Sequence, residues 1–386
     1  MLSYLRILDQ SNSWRKFMTI QDITKALTHT KKHPLKLFIG FDGFVDNIMH
    51  VVDKRISLTE FKRLEYIKDY AERIGKAAGL STNIEWVVDQ QKIGGNGPIM
   101  TNALLNHNVQ ATYVGALGFP TLHPVFQPIA EKANVISIEN PGISDAVEFF
   151  DGKIIMGRMN FDNMTYDRLI ETYGEDNLLD QLQSSDLFAS VNWSMLPTMT
   201  SLWEDLLEKA LPKLKSRASK PIFFVDIADP EKRESTDITR ALHLLKLFKS
   251  YFNVILGFNK KEAFDVSVTL GLFSKDDINE TSLEQVTKAL YDSLEVDQLV
   301  VHPVDRAVVM TSHGYFETKG PYVEKPKLTT GAGDNFNAGY VFGQLAGLTP
   351  EASLLTGVCT SGFYVVNAKS PNTDELIEFI DNFTKK

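Results

Sequence analysis

Pro221-Ile222-Phe223-Phe224-Val225-Asp226 is a short apolar run, and Asn253-Val254-Ile255-Leu256-Gly257 is another. Between them Ala241, Leu244, Leu245 and Phe248 recur at steps of three and four, the period of one helix face. A strand buried on both faces reads as a continuous apolar run, so strand, helix and strand in this order make a parallel crossover unit. The pattern extends outward in both directions. Leu35 to Gly40, Ala111 to Gly115, Leu187 to Val191 and Gln298 to His302 read as further buried strands, and Leu202, Leu206, Leu207, Ala210 and Leu214 as a helix. The expected fold is α/β, a doubly wound, mostly parallel sheet with helices on both faces.

Two stretches have a different texture. Residues 143–160 read as two short strands around Asp151-Gly152, a strong hairpin signal that places them in a separate small sheet. In residues 53–91, Phe61, Leu64, Ile67, Ala71, Ile74 and Ala78 fall at helical steps, followed by a strand-like Ile84 to Val88. A main domain over 35–386, an N-terminal extension over 1–34 and a small β lid built from about 44–92 and 143–160 are therefore expected.

Composition narrows the function classes. The chain of 386 residues is 43% hydrophobic and 23% charged with a net charge of −9, which offers no attraction for phosphate backbones or anionic lipid. Neither nucleic acid nor a membrane is an expected partner. No stretch approaches the roughly 20 apolar residues of a membrane span. Arg6, Asp9, Arg15 and Lys16 interrupt the first 22 residues where a signal peptide would be apolar, so the cytoplasm is expected. The single Cys359 cannot form an internal disulfide and reads as a buried thiol.

The chemistry concentrates in Thr329-Thr330-Gly331-Ala332-Gly333-Asp334-Asn335-Phe336-Asn337-Ala338-Gly339-Tyr340. The helical spacing after it places Gly331, Ala332 and Gly333 at a helix N-terminus, where free N–H groups and the macrodipole favour an anion. Asp334 in the first turn would accept a proton or merely cap the helix. A second stretch, Ile93-Gly94-Gly95-Asn96-Gly97-Pro98, precedes another helix-like run. Gly94, Gly95 and Asn96 would let a polar ligand lie on bare backbone, or simply form a tight turn.

In their order and surroundings these two stretches resemble the signatures of the ribokinase-like (PfkB) carbohydrate kinases. The match runs from Gly94 to Gly118 and from Thr330 to Gly339, with further anchors at Gly40, Asp46 and Asn259-Lys260-Lys261-Glu262. The resemblance implies ATP-dependent phosphorylation of a sugar hydroxyl, with Asp334 as base and the Gly331, Ala332 and Gly333 amides as anion hole. It also implies Asp46 on the sugar, Thr330 at the nucleotide, and Asn259 and Glu262 holding Mg²⁺ through water. Asp42 is the fallback for Asp46. Pairing of lids in a homodimer is a further expectation. No Gly-x-x-x-x-Gly-Lys-Ser/Thr is present, so the phosphate site is not a P-loop.

The sequence also departs from the family. Ile99 stands where an Asn usually touches the sugar, and Leu328 where an Asp helps hold a monovalent cation, so potassium activation is not expected. His302-Pro303-Val304-Asp305-Arg306-Ala307 has lost both glycines of the nucleotide turn, leaving Arg306 to supply charge and His302 as a packed residue. Arg158 is the one candidate for a substrate phosphate, or a solvated surface residue. Two alternatives remain at this point. A nucleoside or vitamin kinase would draw stacking rings from Phe41, Phe44, Phe149 and Phe150, and a non-catalytic sensor would account for the altered turn.

Overall fold

The structure, a computed structural model, describes residues 18–159 and 161–385. Arg6, Asp9, Arg15, Lys16 and the first half of the expected N-terminal extension lie outside the described residues, as does Asn160 at the end of the hairpin segment. In chain order the strands are β1 (Leu35–Phe41), β2 (Phe44–Arg55), β3 (Phe61–Arg63), β4 (Trp86–Gly94), β5 (Val109–Gly115), β6 (Asn134–Ser137) and β7 (Gly142–Phe149). They continue as β8 (Gly152–Arg158), β9 (Leu187–Val191), β10 (Ile222–Asp226), β11 (Asn253–Phe258), β12 (Gln298–Val301), β13 (Arg306–Thr311) and β14 (Gly314–Lys319).

The main sheet has nine strands in the order β14-β13-β12-β11-β10-β9-β1-β5-β6. It is parallel from β12 to β6 and ends in two antiparallel strands. This is the expected doubly wound α/β architecture. Alternation along each strand feeds two apolar layers. Phe223 and Val225 point to the layer of Phe188, Trp203 and Phe248, and Phe224 to that of Ile255, Tyr340 and Phe342. The rings of Phe188, Phe223 and Phe248 stack in series at 4.8 and 4.5 Å.

A second sheet of five strands collects β2, β3, β4, β7 and β8. The Asp151-Gly152 hairpin joins β7 to β8 as read from sequence. The reading of 61–78 as one helix does not hold: Phe61–Arg63 pairs with the end of β2, and the helix is confined to Ile67–Gly75. The twelve-residue β2 leaves a free edge beyond β4, and backbone pairing there outweighs the helical spacing of Phe61 and Leu64. Tyr70 of this short helix packs on Phe149 at 5.5 Å, closing a small core with Met49, Val51 and Val147. The helix read through Leu214 also ends early. Met199–Asp205 passes into a π-helical stretch over Leu206–Ala210, then a 3₁₀ turn at Leu211–Lys213, where Pro212 has no N–H to continue it.

Two long helices, Ala332–Leu345 and Pro350–Asn367, pack closely on the main sheet. At Gly339 the approach excludes any side chain: a methyl group there would lie 2.4 Å from Thr360 Oγ1 and 2.7 Å from the Thr356 carbonyl oxygen. The Thr356 hydroxyl donates to the Gly339 carbonyl at 2.8 Å. The last glycine of the 329–340 stretch is thus a packing residue. Gly339→Ala is expected to cost about 1–3 kcal/mol through overpacking. An unchanged urea midpoint with unchanged m-value would contradict this.

Candidate active site

The polar residues gather at the C-terminal ends of the parallel strands, where open α/β sheets bind ligands. β1 runs into Asp42, β9 into Asn192, β10 ends at Asp226 and β11 leads to Asn259. The chain then crosses to the small sheet at Gly43, where a methyl group would lie 2.0 Å from the Ala116 carbonyl oxygen. Two helix N-termini face this edge, those of Asn96–Leu104 and Ala332–Leu345.

The first of them is filled from within. The buried Asp42 carboxylate accepts the amides of Asn96 at 2.8 Å and Gly97 at 2.9 Å, and the Asn192 side-chain amide at 2.7 Å. The Tyr113 hydroxyl donates to the Asp42 carbonyl oxygen at 2.6 Å. Pro98 has no N–H, and Ile99 N–H already reaches the Gly95 carbonyl at 3.2 Å. Among the described residues, no backbone donor from Asn96 to Ile99 is left for an external anion. Burial still pushes the Asp42 carboxyl up to about 6, against the pull of Asn192, Gly97, Asn96 and Tyr113. The glycines serve the same arrangement. A methyl group at Gly95 would lie 2.6 Å from Asp42 Oδ2, one at Gly97 2.3 Å from the Tyr113 hydroxyl, and one at Gly94 2.1 Å from Asp46 Oδ1. A side chain at Gly94 or Gly95 would thus meet the chain's own carboxylates.

The second helix end is open. Gly331 caps it at φ 85°, and the Tyr364 hydroxyl ties the loop by donating to the Thr330 carbonyl at 2.8 Å. The Ala332 amide, expected as part of an anion hole, donates instead to the Thr329 carbonyl at 3.1 Å, completing the turn. Among the described residues no protein acceptor takes the amides of Gly331 and Gly333. Asp334 sits half-buried in the first turn, its carboxyl held well above the ordinary carboxylate range by burial and then by Asp226, Asp42 and Glu262.

Asp226 and Glu262 deepen this negative field. Asp226 accepts from the Ala228 amide at 2.8 Å and the Asn337 side chain at 2.7 Å, yet burial holds its carboxyl up. Asn259 and Glu262 form a reciprocal capping box at 2.8 and 2.9 Å on the helix Lys260–Thr269, so their spacing also has a local structural reason. Burial, Asp226 and Asp229 raise Glu262 to about 8. Among the described residues no three acidic, His or Cys side chains could enclose a metal ion directly. Buried carboxyls that hold one another protonated nonetheless form an environment that a hydrated divalent cation would relieve, so the residues fit Mg²⁺ held through water.

Asp46 lies on β2 near Ser144, its carboxyl raised by burial against the pull of Ser144, Lys153 and Lys92. Lys153, passed over in the sequence, extends from β8 across to Thr330, with Nζ 3.3 Å from the Thr330 hydroxyl. Its position directly after the Asp151-Gly152 turn was the available signal. Asp226 was missed too, although it ends a buried apolar strand. Arg158 is exposed at the surface, as one of its two readings had it, and its guanidinium pairs with the buried Asp145 at 2.9 Å, which also accepts from Asn47 at 2.7 Å. Arg306 is held by Asp305 at 3.1 Å and Glu317 at 3.2 Å. His302 packs on Phe336 at 4.7 Å, with burial lowering it to about 4. Ile99 lies against Gly331, where a methyl group would sit 3.2 Å from its Cγ2. Phe41, Phe44 and Phe149 are buried in the cores, and Phe150 lies under the Arg63 guanidinium at 4.2 Å. Cys359 is buried as expected, and no described helix is long and apolar enough to cross a membrane.

Residues 18–383 match the sequence profile of the prokaryotic ketohexokinase family. A ketohexokinase of Haloferax volcanii is 26% identical over 355 residues, covering 90% of this chain and 91% of that protein. Among solved structures, the nucleoside kinase of Methanocaldococcus jannaschii, an archaeal member of the ribokinase family, superposes with a TM-score of 0.56 at 15% identity over 90% of this chain and 98% of its own. The ribokinase of Arabidopsis thaliana complexed with ribose and ATP gives 0.57 at 16% identity, again over 90% of this chain and 98% of its own. The two structures carry the fold, and the family match carries the activity. The chain belongs to the prokaryotic ketohexokinase family, within the ribokinase-like (PfkB) carbohydrate kinases, and is a sugar kinase.

Proposed function

We propose that the chain transfers the γ-phosphoryl group of ATP to a hydroxyl of a ketohexose, with Asp334 as general base. The observation that carries this reading is the pairing of an open helix end, the free amides of Gly331 and Gly333, with a carboxyl in the same first turn. The substrate class comes from the Haloferax volcanii relative, and it agrees with the burial of Phe41, Phe44 and Phe149 in the cores.

Phosphoryl transfer needs alignment, charge neutralisation and an acceptor for one proton. Asp46 on the small sheet orients the sugar. Asp334 takes the hydroxyl proton as the sugar oxygen attacks the γ-phosphorus, and the bond to the bridging oxygen breaks to release ADP. The Gly331 and Gly333 amides hold the equatorial oxygens during the passage, with Lys153 and Thr330 beside them. Mg²⁺, held through water by Glu262 and Asn259 next to Asp226, would neutralise the phosphate chain. Burial, and then repulsion from Asp226, Asp42 and Glu262, makes Asp334 a stronger base than a solvent-exposed carboxylate, so a hydroxyl proton moves to it with less uphill cost.

Three outcomes are expected. A coupled ADP-release screen should give ketohexoses a kcat/KM about tenfold or more above aldopentoses and nucleosides, and a preference for nucleosides would refute the acceptor assignment. Asp334→Asn should lower kcat by about 10² to 10⁴ while nucleotide affinity and the far-UV spectrum stay unchanged. Unchanged turnover would remove Asp334 from the chemistry. The third concerns stability without ligands. Glu262 keeps its proton to about 8 in the folded chain but only to the ordinary carboxylate range when unfolded, so the native state binds more protons and loses stability as pH rises toward that value. Buried His302 and His107 act in the opposite sense only below about 6.5, where an unfolded histidine protonates. The thermal midpoint should therefore fall between about pH 6.5 and pH 8, less steeply in Glu262→Gln. Equal slopes for the two proteins would contradict the assignment.

A further inference from the structure

Ile99 stands in the first turn of the Asn96–Leu104 helix and meets the open end of the opposite one. A methyl group at Gly331 would lie 3.2 Å from Ile99 Cγ2, 3.6 Å from its Cδ1 and 3.1 Å from the Tyr364 hydroxyl. Two polar side chains beside this point already have partners. Tyr364 gives its proton to the Thr330 carbonyl at 2.8 Å, and Lys153 lies on the Thr330 hydroxyl at 3.3 Å. Ile99 adds a wall that neither donates nor accepts.

Such a wall bears differently on the two hydroxyl compounds that compete for the phosphoryl group. A sugar is anchored by its other hydroxyls and needs nothing from this side. A lone water needs about two to four polar partners of its own to stay ordered, and an apolar wall withholds one. We propose that Ile99 is a specificity residue that selects a sugar hydroxyl over water as phosphoryl acceptor. The step it suppresses is hydrolysis: water oxygen attacks the γ-phosphorus, the bond to the bridging oxygen of ADP breaks, one water proton passes to Asp334, and ADP and inorganic phosphate leave. This inference rests on the reading of Gly331, Gly333 and Asp334 as the transfer site.

The test uses the full chain with ATP and Mg²⁺, with and without D-fructose, following inorganic phosphate and sugar phosphate by ³¹P NMR. In Ile99→Asn, which offers water a polar partner, sugar-free phosphate release should rise about tenfold or more, while fructose phosphorylation stays within about fivefold of wild type. Ile99→Ala, which only opens the wall, should leak to an intermediate degree, and Ile99→Val should match wild type. Wild-type hydrolysis in both Ile99→Asn and Ile99→Ala would overturn the inference. So would loss of fructose phosphorylation in both without a rise in inorganic phosphate, since Ile99 would then hold the site together rather than choose its acceptor. Asp334→Asn separates the two levels: wild-type transfer in that variant refutes the site itself, whatever the Ile99 variants do.

Discussion

The arrangement depends on one buried carboxylate. Asp42 takes the place of an external anion at the N-terminus of the Asn96–Leu104 helix, satisfying two amides that would each cost about 1–3 kcal/mol if left unpaired in the interior. Two helix ends converge on the same strand edge, and both would attract phosphate by dipole and free N–H groups. One is occupied by the protein itself, and the Ala332–Leu345 end is left open for negative charge from a ligand. The same carboxylate fixes the glycine turn, holds Asn192, accepts a second, longer contact from the Tyr113 hydroxyl at 3.3 Å, and adds its charge to the field at Asp334.

That field is unusual in sign for a site meant to receive a polyanion. Asp42, Asp226, Glu262 and Asp334 are brought within reach of one another, and each has its carboxyl raised. A ligand-free site of this kind is disposed to hold protons. The positive counterparts are the helix end, Lys153 arriving from the small sheet, and the divalent cation that accompanies a nucleotide. In the proposed mechanism the base is therefore tuned by groups that also serve the phosphate side, which ties readiness for proton transfer to the presence of the second substrate.

Much of this was legible in the sequence. Fully buried parallel strands such as Leu187–Val191 are uninterrupted apolar runs, and they were read nearly to the residue. The small sheet was read less well. β2 carries Asp46, Asn47 and His50, polar residues that break the apolar alternation because they face the cleft or the lid network, and it was not recognised as a strand. Phe61 and Leu64 imitate a helix period while pairing with that strand's edge. In the site, glycines and the acid behind them marked the helix end. Asp226 and Lys153 were passed over, although a strand end and a turn marked their positions, because their roles arise only when separate strands meet. Asp42 was weighed only as a substitute for Asp46, since nothing local reveals that it reaches a helix begun 54 positions later.

The interlock at Gly339 has a consequence for how such an enzyme can change. The helix that bears Asp334 is keyed into Pro350–Asn367 without room for a methyl group, so the transfer machinery is mounted as a fixed bench. Asp46, the residue proposed to orient the acceptor, instead stands on β2, in a separate sheet with its own small core. Acceptor preference and transfer chemistry are thus separately evolvable, and drift in substrate choice within this lineage should be written in the small sheet while the bench stays as it is.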